Sequence, residues 1–412
     1  MCFERVAPWS HPRPFPRLFG VNCVCYGSRM LLVFPLAALL SVAASTATSA
    51  PQKSFDAIVS EAEGARKADR LTEAIGFYGE AVRLRPAWNQ GWWWLGNLYY
   101  EQDRFPEAQT SFAHFAAITP KPGPAWAFIG LCDYEMRDYA HSMEHFQRWV
   151  DGGFPGSSDL LDVASFHWAL LLTRQGRFGK ALYLLAGRAT RKGESPVLVE
   201  AMGLASMRMT NLPEDYPPER REQVWLAGKA AFYASQHNFD RASEYSQRLL
   251  AEYGSLPNVH YFLGTLDKFH SRPAEAEKEF RRELEIFPQN AAAMLELAQI
   301  DLDRGNSTEA ESLARRAVQL EPMNPDTHHI LGRALLDAGH ARESAQELES
   351  AERLAPEDAA IHFHLATAYR RLGRKEDAER ENSAYIAIRK RDGTLVQAAG
   401  EPESQHSGKE QQ

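Results

Sequence analysis

Large apolar residues recur along most of the chain at helical spacing, in paired blocks. In the stretch GWWWLGNLYYEQDRFPEAQTSFAHFAAITP, Trp92, Leu95, Gly96 and Tyr99 stand at i, i+3, i+4 and i+7. That spacing puts them on one face of an α-helix. After a polar stretch, Ala108 and Phe112 carry a second apolar face. The pattern predicts two amphipathic helices, A and B, joined by a tight turn. Gly96 is small enough for helix B to approach closely. Pro106 opens helix B, where its missing N–H is harmless, and Pro120 breaks it.

A different pattern occupies the N-terminus. Residues 1–29 hold Arg5, Arg13, Arg17 and Arg29 among four prolines, and Leu31–Ala44 is an unbroken apolar run ending in small residues up to Ala50. A basic region, a short apolar core and small residues predict a secretory leader over 1–50, cut near Val42-Ala43-Ala44 or Ser45-Thr46-Ala47. The run falls short of the ~20 residues of a spanning helix. The expectation is therefore an exported, periplasmic or secreted protein; an uncleaved leader serving as membrane anchor is the alternative. Met30 is an alternative start.

The paired blocks repeat. Pro86 and Pro120 are 34 apart, as are Pro288, Pro322 and Pro356. Shifting by the same step carries the Trp92 place to Trp126, the Gly96 place to Gly130 and the Phe112 place to Phe146. The frame resumes at Leu263-Gly264, Leu297-Ala298, Leu331-Gly332 and Leu365-Ala366. Gly305, Gly339 and Gly373 close three helices A where a left-handed residue is needed. This pattern resembles the tetratricopeptide repeat, W-x2-L-G-x2-Y, A-x3-F, P. The resemblance implies an all-α fold, a right-handed superhelical solenoid of about nine helix-turn-helix units, because one helix pair cannot bury its apolar face alone. The frame fails near 196–222. There Pro196–Met209 predicts a lone helix, and the Pro-rich stretch from Asn211 to Pro218 cannot be helical. This reads as a repeat that lost its second helix, or as a single inserted helix. The expected organisation is a leader (1–50), an N-terminal block (51–195), an irregular segment (196–222), a C-terminal block (223–392) and a disordered tail (393–412). The irregular segment is expected to be the weak point of the array.

Composition narrows the function. Apolar residues make up 44% and charged residues 24%, ordinary for a folded chain. The net charge is −8; setting aside the four Arg and one Glu of the leader leaves −11. That balance argues against nucleic acid as partner. Cys132 is the one cysteine beyond residue 50, so no intramolecular disulfide or cysteine zinc site can form there. No phosphate loop, dinucleotide fingerprint or nucleophile elbow occurs, and no cofactor is expected. His141-Ser142-Met143-Glu144-His145 matches the inverted zinc-protease pattern H-x-x-E-H. Its place in a helix B, with Tyr139 and Phe146 at the ordinary apolar positions, makes it solvent-facing helix, and a metal-dependent hydrolase is the third reading. His260, His328 and His362 fill the Trp place of three repeats and read as core.

Six of the nine Trp lie between 88 and 149. Trp93 is turned about 100° from the core face of its helix. In the tetratricopeptide family that face lines a concave groove holding a peptide or a partner helix. Carried over by position, the groove would comprise Trp93, Asn97, Tyr100 and Glu101, then Leu131, Tyr134 and Glu135. Further on it would take Tyr261, Lys268 and Phe269, then His329 and Arg333, then Phe363, Arg370 and Arg371. The resemblance thus implies a non-enzymatic scaffold of the cell envelope that binds a protein or peptide segment. A self-assembling structural protein, associating with its own copies, is the alternative. Membrane contact is expected only through the leader.

Overall fold

The paired apolar faces become paired helices. The computed structural model describes residues 53–399, and among them nineteen α-helices and one 3₁₀ turn follow one another with no strand. This is the all-α class expected. The leader lies outside the described residues. The last helix runs on to Ala399, into the segment expected to be disordered, and the rest of that tail is also outside the described residues.

The chain forms two compact units. One comprises residues up to 138 with 156–163, and the other 139–155 with everything from 164 onward. The first contains α1 (Phe55–Lys67), α2 (Leu71–Leu84), α3 (Asn89–Glu101), α4 (Phe105–Ile118) and α5 (Ala125–Glu135). The second begins with α6 (Tyr139–Asp151); α7 (Ser158–Arg174) starts in one unit and ends in the other. Then follow α8 (Phe178–Lys192), α9 (Pro196–Ser206), α10 (Arg221–Ser235) and α11 (Phe239–Tyr253). The regular C-terminal pairs are α12 (Val259–Phe269) with α13 (Pro273–Ile286) and α14 (Ala291–Asp303) with α15 (Ser307–Leu320). They continue with α16 (Pro325–Asp337) and α17 (Ala341–Leu354), then α18 (Ala359–Arg371) and α19 (Lys375–Ala399).

Each A-to-B turn needs one residue at positive φ, and this position keeps time along the chain. Gly305, Gly339 and Gly373 sit at φ of 82°, 87° and 74°, as their spacing predicted. Asp69, Asp103, Arg137, His237 and Ser271 hold the same place without glycine, at 53–61° with Arg208 included. Arg208 directly follows α9, so α9 is a helix A with its proper turn and no helix B. The lost-helix reading of 196–222 fits this geometry.

The irregular segment is well packed. Gly203 of α9 lies against Val224 of α10, and Gly228 of α10 lies against Val199 of α9; a Cβ at either glycine would fall 2.0 or 1.9 Å from the facing carbonyl oxygen. The reciprocity means the two helices run antiparallel and touch backbone to backbone. Leu212 of the loop is fully buried, and Tyr216 donates to Glu200 at 2.5 Å. The loop thus covers the face that helix B would have covered. Residues 196–222 lie inside the second unit.

The Trp place carries a second regularity. Trp92 donates its indole N–H to the Pro86 carbonyl at 2.8 Å. His328 and His362 keep that bond, to Pro322 and Pro356, each at 2.9 Å. Their other ring nitrogen meets a glutamate nineteen residues on, Glu347 at 2.7 Å and Glu381 at 2.8 Å, and His260 meets Glu279 likewise at 2.6 Å. With a carbonyl on one side and a carboxylate on the other, the imidazolium form of His362 satisfies both acceptors. Burial opposes protonation of His362, but the bonds to Pro356 and Glu381 outweigh it and raise its pKa. Glu352 of α17 also faces the ring, and Arg380 donates to the second oxygen of Glu381.

Two outcomes are expected. Gly203→Ala should destabilise the second unit by about 3 kcal/mol or more, because the new methyl meets fixed backbone. Gly64→Ala, where nothing lies within 4 Å, should gain about 1 kcal/mol from helix propensity. Urea melts compare the two. The second outcome concerns pH. A raised folded-state pKa gives stability that is complete below the unfolded imidazole value of about 6.5 and lost as pH rises through the folded value. Amide exchange in α18 and α19 should therefore accelerate across that window in the wild type, while His362→Gln should be weaker at pH 6 and flat. Equal pH profiles would refute the assignment.

Candidate functional site

The aromatic residues expected near residue 93 pack against one another, with Trp93 half-buried and Tyr100 buried. Trp93 packs its ring 5.5, 5.2 and 5.6 Å from Phe112, Phe115 and Phe128. Tyr100 is 9% exposed, edge-on to Phe105 and Phe128 at 5.6 Å each. Leu131 and Tyr134 are buried and Glu135 is half-buried. Asn97 donates to its own helix, to the Trp93 carbonyl at 2.7 Å. Glu101 is exposed, with its carboxyl pKa raised by partial burial and by Asp69 against the pull of Arg66. Phe128 of the following helix A meets both Trp93 and Tyr100 edge-on. In the first unit Tyr100 is thus core, while Trp93 and Asn97 stay half-buried.

The second unit does enclose a groove, of about 1560 Å³. Its floor is a hydrogen-bonded network at the starts of successive helices A. Glu283, fully buried on α13, accepts from the Asn258 backbone N–H at 2.8 Å and from Asn290 Nδ2 at 2.7 Å. Asn290 Nδ2 also donates to Asn258 Oδ1, and Asn258 Nδ2 donates to the Met207 carbonyl at 3.1 Å. The network joins the orphan helix to the regular repeats, and it leaves the asparagines committed to structure. Tyr261 of α12 stands in the groove wall beside Arg208, and Arg177 faces them from the start of α8. Arg177 bonds Glu357 at 2.8 Å across 180 residues of sequence, spanning the groove from the fourth repeat to the turn before α18. Burial works against ionisation of Glu357, but Arg177 reverses this and holds its pKa low.

The remaining predicted residues are distributed unevenly. Lys268 is paired with Glu296 and Arg333 with Asp303, the latter at 3.0 Å. Arg371 donates to the Leu336 carbonyl and Arg370 to Thr367 at 2.9 Å. Phe269, 54% exposed, stacks on His237 near an A-to-B turn. Phe363 is 47% exposed beside Tyr385. His329 lies 3.0 Å from His364, nitrogen to nitrogen; burial and then the second imidazole lower its pKa to about 4. Of the expected set, Tyr261 lines the main groove, and it, Lys268 and His329 line a smaller adjoining recess of about 240 Å³. Arg177, Arg208 and Glu357 were not anticipated. Their spacing has no period, and the positive-φ place at 208 is legible only by stepping the turn position through the broken frame.

Neither metal candidate is persuasive. Glu144 of the H-x-x-E-H motif is bound to Arg148, and the His141 and His145 rings stack on the surface of α6. Among the described residues, Glu352, His362 and Glu381 form the group of three metal-capable side chains gathered within 4.8 Å. Both ring nitrogens of His362 are already used, and Glu381 is shared with Arg380. Cys132 is buried, which pushes its thiol pKa well up.

Comparison with known proteins agrees with the repeat assignment. A tetratricopeptide repeat model matches residues 59–121 and 331–392, and a second such model matches 270–334. The heat-shock protein cognate co-chaperone sgt12 of Aspergillus fumigatus is 26% identical over 121 residues, 27% of this chain and 33% of that protein. The chain thus spans about a third of the length of this curated relative. Among solved structures, a MamA protein superposes with a TM-score of 0.35 at 14% identity, over 42% of this chain and 94% of that one. MamA from Desulfovibrio magneticus gives 0.35 at 16%, over 42% and 96%. YrrB, described as a TPR protein with an unusual peptide-binding site, gives 0.34 at 18%, over 44% and 93%. Tetratricopeptide repeats are present in both units of this chain.

Proposed function

We propose that the chain is a non-enzymatic scaffold that holds a segment of a partner protein in the groove of its second unit. The observation that carries this reading is the groove itself. Its floor is prebuilt by the Asn258–Glu283–Asn290 network, and its two sides are tied by Arg177 and Glu357. A preformed concave surface spares a bound segment much of the ordering cost on the receptor side. Repeats of this kind also supply a continuous face that single domains lack. The leader pattern makes the cell envelope, reached by export, the proposed place of action.

Ala360 is exposed on the groove wall at the start of α18. Ala360→Trp should fill the groove while leaving circular dichroism and melting unchanged, and it should abolish partner capture from envelope extract. Trp93→Ala should instead lower the melting temperature of the first unit, through lost packing on Phe112, Phe115 and Phe128. Retained capture by the Ala360 variant would sink the groove reading. For export, sequencing of the mature protein should find an N-terminus between residues 44 and 51. Retention of Leu31–Ala44 in a membrane fraction would show an anchor instead.

A further inference from the structure

His329 and His364 stand on successive helices A, α16 and α18, 35 residues apart in the chain. Their ring centres are 5.0 Å apart, and His329 Nε2 lies 3.0 Å from His364 Nδ1. Both rings are half-buried, and His329 lines the small recess beside the groove. Neither neutral arrangement satisfies this contact. His364 Nδ1 is also 2.8 Å from the Ala360 carbonyl oxygen. A proton on Nδ1 must be divided between that oxygen and His329 Nε2. A proton on His329 Nε2 instead leaves the Nδ1 lone pair facing the carbonyl. Burial and then the neighbouring imidazole lower the His329 pKa to about 4, and burial lowers that of His364. Both rings are therefore neutral at pH 7 and offer nitrogen lone pairs. Asp358 and Asp337 bring negative charge to the pair, and Arg333, which opposes them, is bonded to Asp303 at 3.0 Å.

We propose that His329 and His364 form a binding site for a divalent transition ion of the zinc class, which clips α16 to α18. An ion between the two nitrogens receives both lone pairs, and it attracts the Ala360 carbonyl oxygen that a bare lone pair repels. Zinc–imidazole bonds put two tetrahedral ligand nitrogens about 3.3 Å apart, so the rings need to part only slightly. Imidazole nitrogen favours zinc, copper or nickel, whereas magnesium and calcium take oxygen ligands. Asp358 already caps α18 through the Ala360 N–H at 2.8 Å, so the remaining coordination positions fall to water. The pair differs from the two groups set aside above. Among the described residues no carboxylate bonds either ring, whereas both nitrogens of His362 are engaged and Glu144 is bound to Arg148. An ion held by the folded chain alone stabilises the last two repeats by mass action. The site does not depend on what the groove holds.

The test titrates zinc into the full chain by calorimetry, with magnesium as the control ion. His141 and His145 lie four apart on α6 and compete for zinc, so every measurement uses a His145→Ala background. That background should take up zinc saturably and should ignore magnesium. His329→Gln and His364→Gln should each weaken zinc by more than the roughly tenfold that a lost supporting contact costs. Glu352→Gln, which disables the other cluster, should leave the affinity intact. Two further readouts need no variant at 329 or 364 that could unfold. Zinc should slow amide exchange in α16 and α18 together, and it should move the ring-nitrogen resonances of His329 Nε2 and His364 Nδ1. Absence of zinc uptake, undiminished affinity in both glutamine variants, or unmoved ring resonances each overturn the site. Uptake lost in Glu352→Gln and kept in the His329 and His364 variants overturns it as well, and assigns the ion to the Glu352 cluster.

Discussion

A pair of amphipathic helices cannot bury its apolar faces by itself, and the rest of this molecule follows from that deficit. Each pair must find a neighbour, so the chain keeps a fixed turn geometry and a fixed repeat length in order to stack. The turn residue at positive φ recurs even where glycine is missing, from Asp69 to Ser271. Backbone strain of that order is tolerated because the stacking on both sides depends on the turn. The same requirement explains the irregular segment. With helix B gone, α9 needs another cover, and Gly203 and Gly228 let α10 come to backbone contact in its place. Leu212 and Tyr216 close what remains.

The deficit also decides what happens to the aromatic cluster. In a regular repeat, the face turned away from the intra-pair core borders open space. Here the next helix A presents Phe128, and α4 presents Phe112 and Phe115. Trp93 is therefore packed between repeats though still half-buried, and Tyr100 is buried. A single repeat's pattern could not reveal this, because it depends on the size of a side chain one full repeat away. The helical pairs, their turns and the places of Gly96, Gly264 and Gly332 were legible, since each follows from local periodicity. A Cβ at these three would meet Phe112, Phe280 and Leu348 within 2.7 Å, so the small residue is required by the helix B opposite.

The groove was legible only in part, for a related reason. Tyr261 lies on the face that periodicity points to, and it does line the groove. The Arg177–Glu357 pair joins residues 180 positions apart, and no periodic reading links them. The His–Glu pairs lie between these extremes. Their nineteen-residue spacing recurs three times, at 260, 328 and 362, so it could have been read from the sequence once the Trp place was known. At 328 and 362 histidine keeps the bond to the preceding proline carbonyl that tryptophan makes, and all three add a bond across to helix B. The substitution exchanges apolar area for a charge-assisted contact within the pair.

The division of labour among polar groups then limits how the groove can recognise anything. Asparagines facing a repeat groove suggest contacts to a ligand's backbone. In this chain Asn258, Asn290 and Asn324 are tied to Glu283, Glu321 and one another, so they build the floor and have little left to offer. Most cations are likewise spent on acids of the same wall. Arg208 sits at the turn of a helix whose partner is missing. In an intact repeat the residue at this turn would be followed by helix B; here the chain leaves along the loop, and the side chain is turned instead toward Phe178 and Tyr261. The loss of one helix is thereby the event that placed a cation in the groove.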